Sequence, residues 1–278
     1  MYISALPLFE SRITKQATIA LAYEMEAKVN KFYDKFAKQF FNCIDHRFVI
    51  KGESVMQTGF WLAKKRYAML KVYDLETRHD VDHKIKVTGL DVVRSSFPPA
   101  FQKFMKAVLH TILTKQPKAT VDAMILEFRA HLKTLTYMDI ANNTSIKNIT
   151  KFNGMLPPNP KLGEFGKGTP AHVKAAITYN QLLRDLGLHL KYAPIRDGDK
   201  IKWVRLKDNE YGIDTIAVKT YDDPPEIEAL VNTYMDHNRI FEDQMANKLE
   251  DFYAALQWGL IPVPLNPNVS SLFDYVDD

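Results

Sequence analysis

The chain has 278 residues, 46% of them apolar, a formal net charge of +4 and one cysteine, Cys43. That apolar content builds a sizeable core in one large or two modest domains and excludes a disordered chain, while a lone cysteine excludes an internal disulfide. No apolar run reaches the roughly 20 residues of a membrane-spanning helix, and MYISALPLFE lacks the basic flank and apolar run of a signal peptide, so a soluble cytoplasmic protein with no membrane partner is expected.

The small net charge hides a polarity. Residues 1–146 hold 22 Lys/Arg against 14 Asp/Glu, residues 147–207 hold 12 against 4, and residues 208–278 hold 3 against 15. A basic surface over the first three quarters suits a polyanion, because each neutralised phosphate releases condensed counterions. A solvated charged face is the ordinary alternative.

In chain order, Met25, Val29, Phe32, Phe36 and Phe40 recur at spacings of three and four, which predicts a helix from about Ser11 to Phe41. Lys28, Lys31, Lys35 and Lys38 fall largely on its other faces. Extended segments are predicted near Arg47–Lys51, over Phe60–Tyr73 and near Lys84–Leu90. Between the last two, "HDVDH" at 79–83 alternates acids and histidines in the manner of a hydrated turn, and no metal site is expected there. Cys43 has no His or Lys motif around it and reads as a small core or helix-end residue.

Beyond Gly89 the pattern turns helical. Phe101, Phe104, Met105, Val108, Leu109, Ile112 and Leu113 form a broad stripe entered through Ser96 and Pro98–Pro99. Val121, Ile125, Phe128, Leu132 and Leu135 mark a second helix, followed by an Asn-rich connection and the turn-dense "PPNPKLGEFGKGTP". A third helix is predicted to start with Thr169 as N-cap and Pro170 in the first turn. Short strands near Ile201–Leu206 and Asp214–Lys219 follow, and Asp223–Pro224 open a final helical pair ending near Trp258. The expected class is α+β: a helix with antiparallel strands, then a mainly helical part.

Three stretches carry candidate chemistry. In "FWLAKKRYAML", a continuous strand would place Lys64 and Arg66 on one face and Lys65 and Tyr67 on the other, so both faces carry a cation. Such a strand fits a nucleic-acid groove, with charges on phosphates and Tyr67 packing and donating a hydrogen bond, or an exposed edge where lysines block unwanted pairing. In "FGKGTP", two glycines let the backbone approach a ligand, Lys167 supplies charge, and the following helix start presents N–H groups; His172 and Lys174 lie in its first turn. That arrangement attracts phosphate or is an ordinary helix-entry loop. The tail "IPVPLNPNV" should be extended, leaving Leu272, Phe273, Tyr275 and Val276 too few to build a core, so they dock on a partner or fold back.

"AKKRYAM" resembles the K-K-R-Y segment of family B DNA polymerases, which in that family lies in the palm beside the minor groove at the primer end. "RFVIKGESVMQTGFWLAKKRYAMLKVYD" resembles the family's palm strands, and "KVTGLDVVRSSFPPAFQKFMKAVL" its crossing from palm to thumb. "FGKGTPAHVKAAITYNQLL" and "GDKIKWVRLKDNEYGIDTIAV" are similar to thumb segments of the replicative polymerases of tailed phages, and "SSLFDYVDD" resembles their sliding-clamp peptide. The matches run in one order over nearly the whole chain.

The resemblance implies the remainder of a palm over residues 1–88, a thumb over 89–261 and a flexible clamp-binding tail over 262–278. It implies duplex contacts from Lys64, Lys65, Arg66 and Tyr67, and further DNA contacts from Arg94, Lys167, His172 and Lys174; the ordinary alternative for Arg94 is an ion pair with Asp91. Leu272, Phe273, Tyr275 and Val276 would anchor to the clamp. The family holds two magnesium ions with aspartates, one set upstream and one in a D-T-D-S hairpin followed by a strand of the type Ile/Met-Tyr-Ile/Val-Ser. This chain begins MYIS, so Met1–Ser4 resemble that second strand with its aspartates on another polypeptide. The implied object is the C-terminal subunit of a split polymerase, silent alone, with no catalytic residue or metal ligand of its own and with Mg2+ held mainly by its N-terminal partner. A non-catalytic DNA-binding or clamp adaptor, or a polymerase remnant, is the alternative.

Overall fold

The structure, a computed structural model, describes residues 14–43, 45–157 and 160–262, with His83 described by its backbone alone. It falls into two compact units, one ending at Gly89 and the other starting at Leu90. Both are mixed α and β with antiparallel strands.

The first unit opens with α1 (Lys15–Phe41), whose N-cap Thr14 accepts from the Ala17 N–H at 3.1 Å and which ends at a left-handed Asn42. Three strands follow, β1 (Ser54–Ala63), β2 (Arg66–Asp74) and β3 (His79–Thr88), forming one antiparallel sheet with β2 central. Val55 and Phe60 of β1 and Ala68, Met69 and Leu70 of β2 are buried. Polar bonds tie α1 to the strands and the segment before them: the Tyr23 hydroxyl donates to Leu75 O at 3.1 Å, Glu26 accepts from Gly52 N at 2.7 Å, and Lys15 pairs with Asp80 at 2.5 Å.

Three expectations for this unit fail, each for a local reason. Arg47–Lys51 is not a strand, because Asn30 takes the place of a neighbouring strand, accepting from Ile50 N at 2.8 Å and donating to Ile50 O at 3.0 Å. The stretch Phe60–Tyr73 is two strands of a hairpin, with Ala63 pairing with Arg66 and Lys64–Lys65 as the turn. The "HDVDH" stretch lies within β3, where His79 pairs with Asp74 and Asp80 with Tyr73. The turn comes earlier, fastened by Asp74, which accepts from Glu76 N, Thr77 N and Lys71. These donors, Lys71 first, hold the Asp74 carboxyl well below the usual carboxylate range. Cys43 sits just past α1 and is exposed, so it is a helix-end residue and not a core one.

The second unit begins with a 3-10 turn at Asp91–Val93, then α2 (Pro99–Leu113) and α3 (Lys118–Leu132). Prolines at 98 and 99 start α2, where a missing N–H leaves no hydrogen bond unmade. All seven residues of the predicted α2 stripe are buried, and Phe104 stacks on Phe128 of α3 at 4.0 Å between ring centroids and 9°. Next come α4 (Tyr137–Ile140), β4 (Asn142–Ser145), α5 (Ile149–Asn153) and α6 (Ala171–Asp185). The Asn-rich connection is thus a strand, which gains its ladder from β5 (Lys200–Arg205); β6 (Thr215–Val218) completes the order β4-β5-β6. Every residue of β6 is buried, as are Tyr179 and Leu182 of α6.

The chain closes through α7 (Pro225–Tyr234), α8 (His237–Phe241), a π-helical turn at Glu242–Ala246 and α9 (Asn247–Leu256). The Tyr253 hydroxyl donates to Asp122 at 2.6 Å, joining α9 to α3. Among the described residues no helix is long and apolar enough to cross a membrane.

Candidate nucleic-acid interface

The Lys64–Lys65 turn projects from the end of the first unit's sheet. A bulge at Leu62 separates the pairs Trp61–Tyr67 and Ala63–Arg66 and increases the local twist. Lys65 closes the turn with φ +64°, a left-handed backbone that costs a non-glycine residue about 1 kcal/mol. Both lysines are exposed, and Arg66 and Tyr67 are half-buried at the start of the central strand. The cations therefore sit at a tip and not on the two faces of a strand. Arg66 and Tyr67 lie on the central strand, while the two lysines lie in the turn that follows the edge strand β1.

Two residues passed over in the sequence share this tip. Trp61 stands across the ladder from Tyr67 with half of its surface exposed. Gly89 follows β3 directly, with φ +68°, and its backbone lies against the Lys65 carbonyl. Each was findable only once the hairpin register was known; the signal for Gly89 is a lone glycine closing the strand pattern "KIKVTG".

The other basic candidates belong to the second unit. Arg94 pairs with Asp91 at 2.7 Å while remaining largely exposed, and Lys248 approaches the second oxygen of Asp91 at 3.6 Å. Lys167 is exposed in a turn beside Gly168, whose φ is +80°. Helix α6 does not start as expected: Thr169 is buried, its hydroxyl donates to Gly166 O at 2.7 Å, and the cap is Pro170, whose carbonyl accepts from Val173 N and Lys174 N. The Lys174 ammonium lies 5.3 Å from the Phe165 ring centroid. Burial pushes the His172 imidazole down, so near neutral pH it offers a hydrogen bond and not a charge.

No three His, Cys, Asp or Glu side chains converge on a metal position among the described residues. The described residues thus do not fit a two-magnesium centre. Met1–Ser4 and the anchors Leu272, Phe273, Tyr275 and Val276 lie outside the described residues.

One region of α1 faces outward. Phe40 is 71% exposed and Phe32, Phe41 and Phe48 are each about half exposed. Phe36 packs between the rings of Phe32 and Phe40, 5.6 Å from the first and 4.9 Å from the second.

Residues 13–252 match DNA polymerase family B. The chain belongs to that family. It is 30% identical over 193 residues to the DNA-directed DNA polymerase of Enterobacteria phage T4, covering 69% of this chain and 20% of that protein. Against the DNA-directed DNA polymerase of Escherichia phage RB69 it is 29% identical over 224 residues, 79% of this chain and 22% of the relative. DNA polymerase 1 of Aeropyrum pernix is 31% identical over 164 residues, 58% of this chain and 15% of its own length. This family B polymerase chain therefore spans about a fifth of the phage relatives it matches.

Proposed function

We propose that this chain grips primer–template duplex behind the primer terminus as the C-terminal part of a phage-type family B DNA polymerase, acting in viral DNA replication in the host cytoplasm. In this reading residues 1–88 complete the palm, 89–261 form the thumb, and 262–278 bind the sliding clamp. Nucleotide addition requires magnesium ions, which in this family are held by aspartates; in this reading the upstream part of the polymerase, ending near a D-T-D-S motif, supplies them.

The observation that carries the reading is the tip of the first unit: Lys64 and Lys65 exposed on a turn braced by a three-stranded sheet, with Arg66 and Tyr67 beside them. Two unburied ammonium groups on a rigid support are chemistry for phosphate oxygens, and Tyr67 adds a donor for a groove edge. Arg94, Lys167, His172 and Lys174 add backbone contacts from the second unit, with Arg94 exchanging Asp91 for phosphate.

The outward rings of α1 support contact with that upstream part. A contiguous phenyl surface of this kind marks an interface, and a permanent one buries upwards of about 2,000 Å² in total. The upstream part of the polymerase is the occupant we assign to it.

The deciding assay is primer extension by this chain, by the upstream polypeptide, and by the two mixed after co-purification. Extension by the mixture alone is expected. Incorporation of nucleotides by the 278-residue chain without a companion overturns the proposal.

A further inference from the structure

We infer that Gly89 is a positioning residue for the Lys64–Lys65 turn: the missing side chain lets the turn rest on the end of β3, and this fixes where the two ammonium groups stand. The inference rests on the reading of that turn as a duplex contact.

The geometry is specific to this glycine. A Cβ built on Gly89 would lie 2.0 Å from the Lys65 carbonyl oxygen, 3.0 Å from its carbonyl carbon and 3.4 Å from the Arg66 Cα. All three are backbone atoms, so no rotamer change relieves the clash. The turn would have to retreat by about an ångström to reach even 3.0 Å, the limit that real Cβ contacts respect. The backbone at 89 is also left-handed, φ +68°, which disfavours any side chain independently.

Other glycines show what Gly89 is not. At Gly59 a Cβ would meet the Trp61 ring, a side chain and not backbone, and at Gly187 the φ is again +68° but nothing lies within 4 Å. Among the described residues Gly89 alone would bring a Cβ within 3.0 Å of backbone.

The strand pairing explains why the contact falls on the lysines. Thr88 is the last residue of β3 to pair, opposite Tyr67, so the next residue reaches the level of Arg66 and the turn beyond it. The turn itself departs from regular pairing: Lys65 holds a left-handed backbone without being glycine, and Leu62 is bulged out of register. A displacement of about 1 Å is enough to spoil a positioned contact.

The test is duplex affinity of the full 278-residue chain, by fluorescence anisotropy with a labelled primer–template, across a salt series. Four proteins form a cycle: wild type, Gly89→Ala, Lys64→Ala/Lys65→Ala, and all three changes together. Gly89→Ala should weaken binding several-fold, on the order of three to ten, and flatten the salt slope, and it should cost less than about twofold once the lysines are gone. Gly187→Ala carries the same backbone penalty without the contact and should bind as wild type does. Equal losses with and without the lysines overturn the inference and leave the duplex reading standing. No loss from removing the lysines overturns both. If Gly89→Ala does not fold, it is combined with Lys65→Gly, which frees the carbonyl to turn away; recovery of folding supports the clash as the cause, and failure to recover refutes it.

Discussion

Lys65 holds its place with a left-handed backbone, and at the scale of single residues that strain sits beside the charge it presents. Replacing Lys65 and Arg66 with alanine in the assembled enzyme should weaken primer extension. It should also reduce the slope of log affinity against log salt by about 0.9 for each phosphate that is no longer neutralised. A slope that stays the same would mean that neither side chain neutralises phosphate. A second expectation concerns His237, which is half-buried with its Nε2 3.5 Å from Leu135 O and Lys207 and Asp236 nearby. Burial is the main cause that lowers its pKa below 6.5. The unfolded chain therefore takes up the proton first as pH falls: the stability held above about pH 6.5 is lost as pH drops through 6.5 toward the folded value. His172 acts in the same direction. Urea midpoints measured from about pH 7.5 to 5 should fall less steeply for His237→Gln than for wild type, and parallel curves would clear this histidine.

Among the elements, those whose apolar residues point into their own unit were legible, and those defined by a partner were not. The stripe of α2 could be read because all seven of its residues are buried, and α3 because Val121, Ile125, Phe128 and Leu132 are. The stripe of α1 was equally visible, yet Phe32 and Phe40 stay exposed, since periodicity reports a face and not what covers it. The Lys64–Lys65 turn escaped because neither position holds the Gly, Asn or Pro that marks a hairpin, and β4 because "NNTS" owes its extended form to β5. Of the site, the cluster Lys64 to Tyr67 was legible as charge, but its placement at a tip depended on register. For α1 the expectation is concrete. Phe40→Glu should leave the chain's own stability within roughly 0.5 kcal/mol, the ring being 71% exposed. It should weaken association with the upstream polypeptide at least about tenfold, about 1.4 kcal/mol, measured by calorimetry. Undiminished association would assign the rings to some other purpose.

Across the whole molecule, opposite charges divide the work. The basic excess lies before residue 208, and the 15 acidic residues from 208 onward include Glu242, Asp243 and Asp214, which pair with Arg129, Arg205 and Arg239. Part of the acidic end thus helps to hold the second unit together. The last nine residues are proposed to work by tethering, which raises local concentration without touching the chemistry. Deleting residues 270–278 should abolish clamp-stimulated synthesis and spare distributive extension on short primers. Loss of both activities would show that the tail supports the enzyme's core.

Helix α1 inverts the usual arrangement of an amphipathic helix, stitching itself inward through Tyr23, Glu26 and Asn30 and turning phenyl rings outward. Left uncovered, such a ring surface is what cellular quality control looks for. Copies in which these rings stay uncovered would be cleared by proteases, so the abundance of this chain in cells should rise with whatever covers them.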